Sequence, residues 1–369
     1  MKKGSVDQPL PTGFFDLAEQ VYADDPQWIP EDQEKIRKAF HADNPWFLQG
    51  EAKVFCIEDK ARAAVFFRPD LTIDAQSAAF FGYWETVGDE PSDSELMREV
   101  EAWARNQGAQ TLFGPINFST YGNYRLRVGA ESHADTFVGE PHNPPEYPEI
   151  LTRLGFEEHQ HYCSLIWEPK AAAPLIKYKG PVRERLLADG FHIEPLTRDY
   201  WMANLPELHV LVDVIFQANF AYTPLTYEAF EEACGGAFAN KLCPQRSFFA
   251  RAPNGDIAGF LLLYPHYGPL VVKGAGENRV NEADLDYRQH TPLLDNNGLD
   301  AAVFKTVGVN PAYRRCGVMD SLIVTMIEHT MQQCQRWFGA MIRADNPSRR
   351  FGEHETSGKR WYALYRKKL

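Results

Sequence analysis

One stretch of the sequence joins an apolar strand pattern, a turn and the start of a long helical pattern. It runs from Phe304 to Met319 and carries Arg314, Arg315 and Gly317 in the turn. Backbone N–H groups at a helix start lack partners inside the helix and lie at the positive end of its dipole, so they bind phosphate well. Glycine permits close backbone approach, and the arginines add positive charge. The pattern predicts an anion cradle, and a tight turn with solvated arginines is the alternative that the same residues allow.

Helical and extended patterns alternate along the whole chain, without a short-period repeat. Apolar and alternating runs predict strands at 53–57, 62–67, 78–84, 111–113, 163–167, 192–196, 247–250, 258–264, 303–309, 340–343 and 361–364. Helical spacing predicts helices at 92–107, 148–154, 208–220, 227–233 and 319–337. The second half repeats the order of the first, so we expect an α/β protein of two similar domains, 1–180 and 181–369, with the charged stretch 168–185 crossing between them.

The charge of the chain is uneven. Its 369 residues include 50 acids and 38 lysines and arginines, a net charge of −12, which disfavours nonspecific binding to nucleic acid or an anionic membrane. Residues 301–369 nevertheless hold twelve lysines and arginines against five acids, a local excess of +7. A basic segment of this kind suits a local anion site.

The cysteines and apolar segments bear on the compartment. Six cysteines lie without the close pairing of a zinc or dithiol motif, so we expect reduced thiols and no metal. No apolar run approaches the length of a membrane span, and the first residues lead into no signal-like segment. The sequence therefore predicts a cytoplasmic protein with no membrane partner.

The stretch 304–319 resembles motif A of the GNAT superfamily of acyl-CoA N-acyltransferases. There, R/Q-x-x-G-x-G/A follows the fourth strand and binds the pyrophosphate of coenzyme A. Arg314, Gly317 and the strand residues Val307 and Val309 match, whereas Met319 stands where the last Gly or Ala is expected. The downstream run Arg343-Ala344-Asp345-Asn346-Pro347-Ser348 resembles the end of the superfamily's fifth strand.

The first half resembles tandem GNAT-like proteins of similar length, in which a degenerate N-terminal GNAT fold precedes a more regular C-terminal one. The segments that carry the likeness are 114–120, 143–147 and 154–156. The resemblance covers most of the chain. It implies two tandem GNAT-like domains, each a mixed central sheet flanked by helices, with the acyl-donor site in 181–369.

The resemblance also implies a reaction: transfer of an acyl group from a pantetheine thioester to a small-molecule amine. The donor is acyl-CoA or an acyl group on the phosphopantetheine of a carrier protein, and Met319 favours the carrier protein because its arm presents one phosphate. The implied donor-binding residues are Val307, Val309, Arg314, Arg315, Gly317, Val318, Met319 and Asn346. The residues expected to line the acceptor pocket are Tyr264, His266, Lys305 and Thr306.

Proton transfer is the step that the resemblance leaves open. Many members use a tyrosine on the helix after strand five, but residues 348–355 contain none. Glu353, His354 and Tyr362 are the substitutes that the sequence offers. Tyr147, in the corresponding region of the first half, is expected to pack or hydrogen-bond structurally.

Two other functions fit the same fold. One is a transferase that uses aminoacyl-tRNA, with the basic C-terminal segment receiving the tRNA backbone, although the net charge disfavours it. The other is a noncatalytic module that binds a partner or a small acyl ligand, which the missing tyrosine and Met319 both favour. The sequence predicts neither the acceptor nor the oligomeric state.

Overall fold

Apolar runs with strand periodicity assemble into one mixed sheet. The computed structural model describes residues 2–5, 10–129 and 135–369. The strands are β1 (Lys2–Ser5), β2 (Glu51–Ile57), β3 (Ala61–Ile73), β4 (Gln76–Thr86), β5 (Thr111–Gly114), β6 (Leu126–Val128), β7 (Glu157–Trp167), β8 (His192–Pro195), β9 (Phe248–Arg251), β10 (Ile257–Pro265), β11 (Ala301–Val309), β12 (Arg336–Arg343) and β13 (Gly358–Lys368).

Helices cover both faces of this sheet. They are α1 (Phe14–Val21), α2 (Gln33–Ala39), α3 (Glu90–Asn106), α4 (Tyr147–Arg153), α5 (Ala172–Ala188), α6 (Arg198–Ala203), α7 (Leu205–Phe216), α8 (Tyr227–Cys234), α9 (Gly236–Ala239), α10 (Gly268–Val271), α11 (Tyr287–His290) and α12 (Val318–Thr330). No helix in the described part of the chain combines the length and the apolar character that a membrane crossing requires.

The two halves of the chain exchange strands. The C-terminal strand β13 lies between β5 of the first half and β7, and β7 in turn lies between β13 and β12 of the second half. β13 runs antiparallel to β5 and β7, as in the pairs Tyr365 with Gly114 and Tyr362 with Tyr162, and the short strand β6 also pairs with it antiparallel. The sheet is therefore continuous through both halves, and each half completes the sheet of the other.

Side-chain alternation on β7 defines the two faces. Cys163, Leu165 and Trp167 pack with α5 and α12, on the face that α3 and α4 cover in the first half. Tyr162 points to the opposite face, which carries α1 and α2 in the first half and α6–α9 in the second. We call these the α12 face and the α7 face.

Local signals position most helices as predicted. Helix α3 begins after Asp89, whose carboxylate accepts from the Ser92 N–H, and its apolar residues Leu96, Val100 and Ala104 are buried at helical spacing. It ends before Gly108, which has a positive φ of 94°. The tandem α/β fold expected from the sequence is present.

One predicted helix needs correction, and the predicted crossing between the two domains is helical. The helix predicted over 319–337 ends at Thr330, because the N–H groups of Gln335 and Arg336 donate to the Asp300 carbonyl and draw this segment into β12. The stretch 168–185, interpreted as a crossing, is largely the helix α5, in which Pro181 lies. The proposed boundary between residues 180 and 181 thus falls inside α5.

The exchange of strands predicts that the first half does not fold alone. A chain of residues 1–180 lacks β13, so β5 and β7 would expose unpaired edges in the middle of the sheet. We expect calorimetry to show one cooperative transition for the full chain and none for residues 1–180. A cooperative transition of residues 1–180 at the temperature of the full chain would contradict this prediction.

Candidate active site

Strands β11 and β12 part in the middle of the second half. They pair in parallel from Ala301 with Arg336 only as far as Phe304 with Gly339. The next residue of β11, Lys305, is an extra residue in the pairing with β10, where Leu262 faces Thr306 and Leu263 faces Phe304. Such a bulge bends a strand and redirects its side chains. The edge of β11 beyond Phe304, which includes Val307 and Val309, therefore has no strand partner on its β12 side among the residues that the structure describes.

A second bulge, in β12, widens the gap. The pairing of β12 with β7 is irregular between Gly339 and Ile342, and Met341 adopts a positive φ of 50°. The Met341 N–H donates to the Ser164 hydroxyl at 3.1 Å. The backbone of β12 is thus held away from β11 by a side chain of β7.

Tyr362 belongs to the network beneath this bulge. Its hydroxyl lies 3.1 Å from the Ser164 hydroxyl and donates to Glu140 at 2.5 Å, and Arg360 donates to the same carboxylate at 2.7 Å. Burial and the charge of Glu140 raise the pKa of Tyr362 well above its ordinary value. The residue predicted as a proton-transfer candidate is fully buried, and its position favours a role in holding the bulge.

The corresponding gap in the first half is closed by the chain itself. Strands β4 and β5 pair in parallel only over 78–80 and 111–113. The Ile116 N–H then donates to the Phe81 carbonyl at 2.7 Å, and the Asn117 side chain accepts from the Tyr83 N–H at 2.7 Å. A Cβ on Gly82 would lie 2.4 Å from the Ile116 carbonyl oxygen, so glycine permits this approach. The segment occupies the space that a ligand arm would need.

A cavity of about 1740 Å³ connects the two faces through the open gap. On the α12 face its lining includes Leu175 of α5 and Met319 and Ile323 of α12. On the α7 face it extends to the first half and reaches Arg125 and Tyr162. An elongated ligand can therefore enter from the α12 face and present its end to a second molecule on the α7 face.

Most residues predicted for the acceptor pocket lie at this cavity. Lys305, Thr306 and Tyr264 line it. His266 does not, since its ring packs in the core at 5.2 Å from the Phe338 ring. Burial lowers the pKa of His266 to about 4, so the ring is neutral at physiological pH. The structure thus removes His266 from the predicted acceptor pocket.

The predicted anion cradle is only partly open. Arg314 and Arg315 are exposed and make no ion pair among the described residues. Gly317 has a positive φ of 88° and starts α12, but a Cβ there would lie 2.4 Å from Val182 of α5. Helix α5 therefore packs directly against the turn.

The first turn of α12 also carries a carboxylate. Asp320 forms an ion pair with Lys179 of α5 at 3.0 Å. Val318 is buried, and Met319 lines the cavity where it meets the α12 face. The turn is therefore packed against α5, whereas the edge of β11 that leads to it is free.

The other predicted residues lie beside the cavity mouth. Asn346 lines it, and its side chain also accepts from the Ser348 N–H at 2.9 Å. Glu353 is held by Lys359 and Arg349, at 2.9 Å each, and the hydrogen bond from Lys359 is the main cause that lowers its pKa. His354 is exposed, and neither Glu353 nor His354 lines the cavity. The structure brings neither to the place where the acceptor would lie.

A carboxylate that the sequence analysis missed does line the cavity. Glu85, on β4, accepts hydrogen bonds from Tyr147 at 2.8 Å and from Tyr22 at 3.2 Å. Burial raises its pKa to about 7, against the opposing charge of the buried Arg62. Tyr147, which the sequence predicts to pack or hydrogen-bond structurally, is buried and also lines the cavity. An acid within an apolar strand was the available signal for Glu85.

Comparison with solved structures assigns the architecture. A tandem GNAT protein from the clavulanic acid biosynthesis pathway, solved without AcCoA, has a TM-score of 0.53 at 11% identity, with 100% of this chain and 98% of that one covered. A probable N-acyltransferase from Enterococcus faecalis V583 has a TM-score of 0.52 at 10% identity, covering 100% and 73%. A GCN5-related N-acetyltransferase from Anabaena variabilis ATCC 29413 has a TM-score of 0.51 at 10% identity, covering 98% and 72%.

No family model matches the sequence, and no curated protein matches it either. At these low identities the structural likeness establishes the fold. The chain has a tandem GNAT fold, in which the open gap lies in the C-terminal half and the N-terminal gap is filled.

The raised pKa of Glu85 predicts a pH-dependent stability. The folded state favours the neutral carboxyl of Glu85. The stability that this preference contributes is fully present below pH 4.5 and is lost as the pH rises through about 7. We expect Glu85→Gln to be more stable than the wild type at pH 8, by up to about 3 kcal/mol, and the difference to shrink towards pH 5. Denaturant unfolding between pH 5 and 8 measures this. The exposed Glu95→Gln is the control, and an equal pH dependence in all three proteins would refute the assignment.

Proposed function

We propose that the protein is an N-acyltransferase that moves an acyl group from a pantetheine thioester to an amine bound in the central cavity. The observation that carries the proposal is the open gap between β11 and β12, which leads from the α12 face into the cavity. The closed gap of the first half supports a single donor site per chain.

The chain supplies binding and polarisation. The donor brings an activated acyl group, and transfer to the amine releases a thiol. The free edge of β11 near Val307 pairs with the amides of the arm, and a backbone N–H of the same strand polarises the thioester carbonyl. Removing one such donor costs about 10²–10³-fold in rate in other acyl-transfer sites. No covalent enzyme intermediate is needed, because the amine itself can attack the thioester carbonyl.

Proton removal from the amine needs a base that titrates near neutral pH. Glu85 lines the same cavity, and burial raises its pKa to about 7. This makes Glu85 the carboxylate in our proposal that accepts the proton, directly or through water. The predicted candidates Glu353, His354 and Tyr362 lack access to the cavity and are not assigned this role.

The turn favours a donor with one phosphate. Val182 packs against Gly317, and the ion pair of Asp320 with Lys179 places a carboxylate at the first turn of α12 where a second phosphate would lie. Both features disfavour the diphosphate of coenzyme A, whereas the exposed Arg314 and Arg315 suit the phosphate and the acidic surface of a carrier protein. Phosphopantetheine on an acyl carrier protein is therefore the preferred donor, and acyl-CoA is the alternative.

Filling the gap tests the donor path. Ala340 is half-buried, lies on β12 where the strands part and lines the cavity. We expect Ala340→Phe to lower thiol release from acyl carrier protein or acyl-CoA in the presence of amines by roughly tenfold or more, because the ring would occupy the arm's path. Ala102→Phe, at an exposed site on α3 away from the cavity, is the matched control. Equal thiol release by both variants would contradict the donor path, and no release from the wild type would favour a noncatalytic module.

Charge reversal at the turn tests the phosphate contact. We expect Arg314→Glu to weaken binding of phosphopantetheine by roughly tenfold, the loss of one charge-assisted contact, and to leave pantetheine binding unchanged. Calorimetric titration measures both ligands. Arg98→Glu, at an exposed site on α3, is the control for the change in net charge. If Arg314→Glu weakened pantetheine binding equally, or if Arg98→Glu weakened phosphopantetheine binding as much, Arg314 would not be the residue that contacts the phosphate.

A further inference from the structure

A buried arginine in the cavity wall has no anionic partner among the residues that the structure describes. Arg125 is 7% exposed and lines the central cavity. The Cζ atom of its guanidinium lies 3.7 Å from the centroid of the Tyr124 ring and 4.0 Å from that of the Tyr162 ring, and these two rings are nearly perpendicular to each other. Its Nε and Nη1 atoms have no hydrogen-bond partner, and no carboxylate within the described ranges pairs with it.

Such an arrangement costs free energy unless a ligand completes it. A buried donor without an acceptor typically costs about 1–3 kcal/mol, and an unpaired charge costs more. The two tyrosine rings recover part of this through cation–π contacts. Burial lowers the pKa of Arg125 to about 10, which leaves the side chain charged at neutral pH. The ring contacts hold the guanidinium in the cavity wall, where the charge of an anion bound in the cavity would balance it.

A second cation without a partner lines the same cavity. Lys305 is the bulged residue of β11, and it forms no ion pair or hydrogen bond to any residue that the structure describes. Its Nζ reaches the first half, since a Cβ on Gly139 would lie 3.5 Å from it. Burial lowers the pKa of Lys305. The negative charge of Glu282 raises this pKa, and the positive charge of Arg125 lowers it further.

We propose that Arg125 and Lys305 together bind an anionic group, a carboxylate or a phosphate, on the acceptor amine. This rests on the proposed function, because it assigns the substrate class of the same cavity. The planar guanidinium matches two oxygens of a carboxylate or phosphate, and the ammonium adds a point charge. Tyr162 and the bulged Lys305 lie on the α7 face, whereas the turn at Arg314 precedes α12 on the other face. The anion therefore belongs to the acceptor.

Binding measurements test the site without requiring turnover. Titration calorimetry compares amines that differ only in the anion: β-alanine with ethylamine, and phosphoethanolamine with ethanolamine. We expect wild-type protein to bind at least one anionic member at least tenfold more tightly than its neutral counterpart. Arg125→Gln should abolish this preference, Lys305→Met should reduce it, and the exposed Arg98→Gln should leave it intact.

The donor provides the second comparison. Phosphopantetheine should bind Arg125→Gln as it binds the wild type, and loss of its binding together with an unchanged amine preference would overturn the assignment to the acceptor. Equal affinities within each amine pair would overturn the anion site itself. If Arg125→Gln does not fold, Arg125→Lys and Lys305→Met carry the test. Anion preference without thiol release would support this site and reject the transferase reaction.

Discussion

Beyond Phe304 the backbone of β11 has lost one of its two strand neighbours, and a buried strand edge of this kind must find hydrogen-bond partners elsewhere. Two bulges keep the edge open: one at Lys305, and one in β12 that is anchored through the Ser164 hydroxyl. The cavity, the position of Lys305 and the path for an elongated arm all depend on this separation. If β11 and β12 paired along their whole length, there would be no gap between them for Lys305 to line.

The first half shows what happens when the same gap is satisfied internally. There the segment after β5 turns back, and Ile116 and Asn117 supply the partners that β4 lacks. This closure removes the unpaired backbone and with it the space for a ligand. The two halves therefore share a topology but contribute different features to the cavity. The second half contributes an open strand edge, and the first half contributes Glu85 and Arg125 to the cavity wall.

Sequence reasoning was reliable where a feature depends on neighbouring residues. Local periodicity predicted most strands and helices. It also predicted the cavity residues Lys305, Thr306 and Met319, because these lie on a single strand and at the start of a single helix. The end of α12 was wrong because the Asp300 carbonyl, distant from the helix pattern, draws Gln335 and Arg336 into the sheet. Strand exchange was unpredictable for a similar reason, since β7 and β13 meet across about 200 residues.

The same limit explains the site residues. Alternation places Tyr362 and His266 on strands or strand ends near the site, but only the packed structure shows that Glu140 and Phe338 enclose them. Arg125 follows a turn without periodicity, so nothing local distinguishes it from a solvated arginine; its significance comes from two tyrosines, one adjacent and one 37 positions away, that close over it. Buried charge of this kind is defined by what surrounds it. The exposed arginines of the turn and the two cations of the cavity, Arg125 and Lys305, lie on opposite faces of the gap. Each reactant can therefore have its own cationic site, and the two reactants do not compete for one site.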